Sequence, residues 1–186
     1  MEKSKDAKLK TEIFTTDIDP FMLNYLSDIF CNDENVKIKK ADLALPINFQ
    51  DNYFNCVTAN LVLPYLIHHR GEIGLKGFIK LLEDIHRVLK PGGHFIWSSP
   101  KKKVKFLKVF TASWKNVLDP KNLEHLYYGP AILKQALQIQ RKGYKSIYHF
   151  LDVKELEKIL IDIGFTDIKF TKSMADQVNI IKCKKI

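Results

Sequence analysis

Glycine is missing from the first 70 residues of this chain, and all eight glycines fall at Gly71 or later. A loop of closely spaced glycines is therefore excluded from that stretch. Cysteine is scarce. Cys31, Cys56 and Cys183 are odd in number and lack metal-ligand spacing, which excludes a disulfide framework and points to reduced thiols in a cytoplasmic protein. No apolar run of about 18 residues occurs, so nothing reads as a membrane-spanning helix. Met1–Lys10 is lysine-rich but has no apolar stretch behind it, which excludes a secretory signal. Internal repeats and low-complexity segments are absent as well.

What is present is ordinary globular material. Apolar residues make up 46% and charged residues 27% of 186, enough for one domain with a real core. The net charge of +9 is not spread evenly. Residues 101–150 hold eleven basic side chains against Asp119 and Glu124, whereas the rest of the chain is balanced at nineteen of each sign. The whole excess lies in one segment.

Short β-rich runs alternate with helical stretches. Glu12–Thr16 reads as a strand closed by Asp17. Pro20 suits a first helical turn, and Phe21, Leu23, Tyr25, Leu26, Ile29 and Phe30 give the helix after it a broad apolar face. Val36–Ala41 and Tyr53–Ala59 read as strands. Gly77–Leu89 has helical spacing and is stopped by Pro91-Gly92-Gly93, and His94–Ser98 is the next strand. Asp152 and Gly164 suit the N-cap and C′ positions of a helix over Val153–Ile163. Thr166–Phe170 and Val178–Cys183 close the chain as strands. The link between them is too short for a parallel crossover, so the last strand is expected to run antiparallel. Alternating strands and helices otherwise predict a mainly parallel α/β sheet.

His86-Arg-Val-Leu-Lys-Pro-Gly-Gly-His-Phe95 resembles the signature before the fifth strand of class I S-adenosylmethionine-dependent methyltransferases, of the type 11-like kind. Four neighbours fall in the same family order. Phe14–Leu23, with Asp17, resembles the second-strand segment, and Ala41–Pro46, with Asp42, the end of the third strand. Phe54–Leu63 resembles the fourth strand and its loop, and Leu156–Phe165 the helix before a terminal hairpin. The resemblance covers Ile13 to about Lys184, apart from the basic segment.

The resemblance implies a Rossmann-like sheet of strand order 3-2-(1)-4-5-7-6, with the family's first strand and its glycine-rich loop missing. It implies S-adenosylmethionine as cofactor, with Asp17 and Ile18 at the ribose, Asp42 and Leu43 at the adenine, and Asn60 and Leu61 beneath the methionine moiety. A carboxylate suits a ribose diol because it accepts two O–H bonds, and ligands of open α/β sheets bind at strand carboxyl ends. Without the glycine-rich loop, the chain is expected to bind the cofactor weakly or not at all. The expected organisation is one partial domain over 11–186, a basic aromatic lid at 101–150, and residues 1–10 as a charged tail or the remnant of a first helix.

Leu107, Phe110, Trp114, Val117 and Leu118 follow helical spacing amid Lys101, Lys102, Lys103, Lys105, Lys108 and Lys115. Three readings stay open: a lid with solvated lysines, contact of residues 101–118 with an anionic membrane surface, or nucleic-acid binding. No metal is called for. His68, His69 and Tyr65 follow the fourth-strand loop and are candidates for a proton acceptor, with a solvent-exposed helix start as the plain alternative. Tyr148 and His149 at the lid's end stand beside them. The expected activity, in the intact form of the domain, is methyl transfer to a small-molecule or lipid acceptor. The alternatives are a non-catalytic relative acting as a binding module or partner subunit, and a nucleic-acid methyltransferase.

Overall fold

The computed structural model describes residues 11–104 and 124–186, and for residues 124–127 the backbone only. By its internal contacts the chain divides into two units, one ending at Asp42 and the other beginning at Leu43.

The first unit is a βαβ element. β1 (Ile13–Asp17) and β2 (Val36–Lys40) pair in parallel, from Ile13 beside Val36 to Asp17 beside Lys40. Between them, α1 (Pro20–Ile29) starts where Asp19 Oδ1 accepts the Phe21 amide at 2.9 Å and Pro20 takes the first turn. The broad apolar face read from the sequence divides in two. Leu23 and Leu26 are half-buried, whereas Phe21 (74%), Tyr25 and Ile29 form an exposed line. No residue of 11–42 is fully buried.

The second unit holds the core. β3 (Phe54–Ala59) leads through a 3-10 turn at Leu63–Tyr65 to a small hairpin, β4 (His68–His69) and β5 (Glu72–Ile73). Then come α2 (Gly74–Val88), β6 (Leu89–Pro100), α3 (Glu124–Tyr144), α4 (Val153–Ile163), β7 (Phe165–Ser173) and β8 (Val178–Lys185). The sheet order is β3-β6-β8-β7, with β3 parallel to β6 and β8 antiparallel to both of its neighbours. This is the Rossmann-like arrangement anticipated from the resemblance, with the last strand inserted beside the family's fifth.

Helical spacing puts Phe78, Leu81, Leu82, Ile85 and Val88 on the buried side of α2. Strand alternation puts Phe95, Trp97, Ile181 and Cys183 on the sheet face that meets them. Leu156 and Leu160 of α4 complete this cluster, and each large side chain contributes about 2 kcal/mol of burial. α4 starts at the expected Asp152, which forms a capping box with Glu155, and ends at the expected Gly164, left-handed at φ 105°.

Some boundaries differ from the sequence reading. α2 starts three residues earlier, at Gly74, and ends at Val88. Pro91-Gly92-Gly93 does not stop the helix. It lies inside β6, where the pairing with β3 shifts register between Phe54 and Cys56, with Gly92 at φ 79°, and a Cβ on Gly93 would stand 2.8 Å from Lys90 O. The basic segment contains α3, a helix that its residue pattern did not predict. The amphipathic stretch Leu107–Leu118, with Phe110 and Trp114, lies outside the described residues, as do Lys105, Lys108 and Lys115. Lys102 is described, and it pairs with Glu155 at 3.3 Å and with Asp152 at 3.5 Å. Among the described residues, no helix is long and apolar enough to cross a membrane.

Candidate functional site

Asp17 ends β1 because its side chain turns back on the backbone. Oδ1 accepts the Asp19 amide at 2.9 Å, and the Asp17 carbonyl accepts the Ala41 amide at 2.9 Å. Among the described residues Oδ2 receives no hydrogen bond, so one carboxylate oxygen at the strand's carboxyl end remains open to a hydroxyl. Ile18 beside it is exposed. Asp42 follows β2 by two residues and is half-buried.

In the second unit, Asn60 and Leu61 leave the sheet at the carboxyl end of β3. Leu61 adopts φ 50°, a left-handed conformation that costs a non-glycine residue about 1–2 kcal/mol. Its amide donates to Ser98 Oγ at 2.8 Å, and the same hydroxyl donates to Asn60 Oδ1 at 2.6 Å. By its sequence alone Ser98 is one more strand residue, with nothing to mark it.

Tyr65, at the end of the 3-10 turn, meets the segment before α4. Its ring stands edge-on to Tyr148 at 5.0 Å and to Phe150 at 5.5 Å. The His149 amide donates to Pro64 O at 2.8 Å, and its ring packs on Phe78 at 5.4 Å. Burial, then the neighbouring Tyr148, pushes the Tyr65 phenol up, so it stays protonated. Burial holds the His149 ring below the ordinary imidazole range, and its Nε2 has no hydrogen-bond partner among the described residues. The structure thus brings Tyr65, Tyr148 and His149 together from distant parts of the chain.

The two histidines of β4 separate. His68 is exposed. His69 is neither exposed nor a helix start. It is fully buried, its Nδ1 donates to Leu43 O at 2.6 Å, and its Nε2 lies 3.5 Å from Asp84 Oδ2. Asp84, buried on α2, accepts the Ile47 amide at 2.7 Å and Arg87 Nε at 2.7 Å. Arg87 also donates to Ile47 O and Phe49 O at 2.8 Å and to Asp51 at 2.7 Å. These groups clasp the loop 43–51 to α2. A charged residue amid the apolar spacing of α2, followed three positions on by arginine, was the available sequence signal for Asp84.

Among the described residues, no three His, Cys, Asp or Glu side chains converge to hold a metal ion. On α3, Pro130, Leu133, Lys134, Leu137, Gln138 and Arg141 line a groove of about 390 Å³.

Residues 4–97 match the model of a family described as a methyltransferase domain. The ubiquinone/menaquinone biosynthesis C-methyltransferase of Neisseria meningitidis, in serogroup B and C strains, is 28% identical over 172 residues, which cover 92% of this chain and 63% of the relative. The chain therefore spans less than two thirds of the curated relatives it matches. Two solved structures share the fold. A SAM-dependent methyltransferase from Aquifex aeolicus superposes with a TM-score of 0.56 at 16% identity, covering 94% of this chain and 69% of that one. The phosphoethanolamine N-methyltransferase 2 of Haemonchus contortus, in complex with S-adenosyl-L-methionine, gives 0.58 at 16% identity over 94% and 43%. The family match takes in half of the chain, and its segment holds β1, β2, β3, α2 and the Arg87–Gly93 signature, so the chain belongs to the methyltransferase domain family.

Proposed function

We propose that this protein transfers a methyl group from S-adenosylmethionine to a small-molecule acceptor of amphiphilic or lipid character. The observation that carries the reading is Asp17, at the carboxyl end of β1 in a βαβ unit, with one carboxylate oxygen still open. That chemistry suits a ribose diol. In this reading Asp17 and Ile18 hold the ribose, Asp42 and Leu43 the adenine, and Asn60 and Leu61 the methionine moiety. The cofactor supplies an electrophilic methyl on a sulfonium.

In-line displacement at that methyl depends above all on position. The chain's part is therefore to orient the donor and exclude water. His69, enclosed and committed to Leu43 O, acts in this reading by holding the adenine-side loop and not by taking a proton. Tyr65, Tyr148 and His149 form the acceptor side. Among them, His149 is the candidate base, because burial disfavours its charged form and leaves the ring in the state that can take a proton.

The acceptor class rests on α3. Its groove is apolar at Leu133 (51% exposed) and Leu137 (48% exposed) and cationic at Lys134 and Arg141, which suits an amphiphile or an anionic lipid surface. The named role of the Neisseria relative, in ubiquinone and menaquinone biosynthesis, points the same way.

Ultraviolet cross-linking with methyl-labelled S-adenosylmethionine reads even weak binding. Wild type should label, and Asp17→Ala should lose most of the label. Equal labelling of the two would overturn the donor site. Labelled product should then partition into organic solvent when a lipid extract is supplied. Donor binding without any methyl release would leave a non-catalytic binding module instead.

A further inference from the structure

We infer that Ser98 is a positioning residue for the donor site, its hydroxyl setting the conformation of the loop after β3. The inference rests on the reading that Asn60 and Leu61 line the donor.

β3 and β6 run in register as far as Ala59 beside Trp97, so the chain reaches residue 60 alongside Ser98. There the backbone ladder stops. The Leu61 amide takes the Ser98 side chain at 2.8 Å in place of a strand carbonyl, and the Ser98 hydroxyl passes its own proton to Asn60 Oδ1 at 2.6 Å. A hydroxyl is suited to this because it donates once and accepts as well. Both bonds together turn the Asn60 side chain back to β6 and hold Leu61 at φ 50°, so the chain leaves the sheet instead of continuing along it. Ser98 is 6% exposed, which leaves little room for water to take over either bond. Alanine offers neither bond. Threonine offers both.

The experiment compares wild type, Ser98→Ala, Ser98→Thr and Asp17→Ala by donor cross-linking titration, thermal melting, and hydrogen exchange of peptides spanning residues 59–63. Ser98→Ala should weaken donor binding about tenfold, the scale of one lost net hydrogen bond. It should also speed exchange in that segment while core peptides stay protected. Ser98→Thr should restore binding to within about twofold of wild type.

Unchanged exchange in Ser98→Ala overturns the latch. Unchanged donor binding alongside faster exchange overturns its role in positioning. A loss that Thr does not restore assigns the effect to packing and overturns it too. Wild type and Asp17→Ala labelling alike sinks the donor reading instead, an outcome distinct from any of these. If Ser98→Ala does not fold, Ser98→Cys, which keeps the volume and weakens the bonds, takes its place in the comparison, and the same outcomes support or overturn the latch.

Discussion

Replacing Arg87 with Ala removes the largest single piece of the clasp on the loop 43–51. The guanidinium donates four hydrogen bonds at 2.7–2.8 Å, to Asp84 Oδ1, Asp51 Oδ1, Ile47 O and Phe49 O. Without it the fully enclosed Asp84 carboxylate keeps the Ile47 amide at 2.7 Å and the His69 ring at 3.5 Å. Breaking a buried ion pair from one side costs about 3–5 kcal/mol. The Asp51 arm is exposed and adds little. Because the Arg87 side chain is 31% exposed, water can re-enter, so the expectation is about 3 kcal/mol, the low end of that range. For a chain of this size that lowers the melting temperature by about 6–12 °C, readable by circular dichroism. The pair Arg87→Met with Asp84→Leu should recover most of the loss, because replacing both partners with apolar groups is often near neutral. A loss below about 1 kcal/mol for Arg87→Ala, or a double variant worse than the sum of its singles, refutes the clasp.

Three further outcomes follow from the same structure. Burial lowers the proton affinity of folded His149, and burial followed by Lys185 does the same for His86. The unfolded chain then binds more protons below about pH 6.5, so stability is full above that pH and falls as pH drops through it. Melts from pH 7.5 to 5 should show the decline and His149→Phe should flatten it; an identical slope in the variant would sink the assignment. Ellman's reagent should titrate Cys31 and Cys56 in the native protein, whereas Cys183, buried with its thiol pushed up to about 12, should react only in denaturant. Three fast thiols would contradict the core. Gly77→Ala should destabilise by about 1–3 kcal/mol because the new methyl overlaps Glu72 O and stands 3.0 Å from His69 N. Stabilisation, as helix propensity alone would give, would show that α2 does not press on the hairpin that carries His69.

The elements whose reasons are local could be read in advance. The alternating apolar strands, the Asp152 and Gly164 caps, and the short link that forces β8 antiparallel all depend on residues within one turn or one strand of each other. What could not be read depends on partners far apart in sequence. His69 looks like an exposed neighbour of His68, and its burial is decided by Leu43 and Asp84, 26 and 15 positions away. Ser98 gives no local sign of its bonds to Asn60 and Leu61. α3 is hard to read because Gly129, Pro130 and Gly143 break the pattern that signals a helix, and the charge of its surroundings suggests solvent. The half-buried face of α1 could be read as apolar, but not how it divides between covered and exposed residues.

Arg87 opens the signature by which the family is recognised, and its bonds all go to the protein's own loop and helix. The Gly93 of that signature answers to a backbone with no room for a side chain. Selection on these positions is selection to fold. A descendant that has given up methyl transfer but still needs a folded domain will keep them unchanged, while Asp17 and Asn60, whose side-chain bonds only shape the strand ends, are freer to drift. Within a lineage, decay of activity should therefore show first in the strand-end acids and amides and last in the motif that names the family.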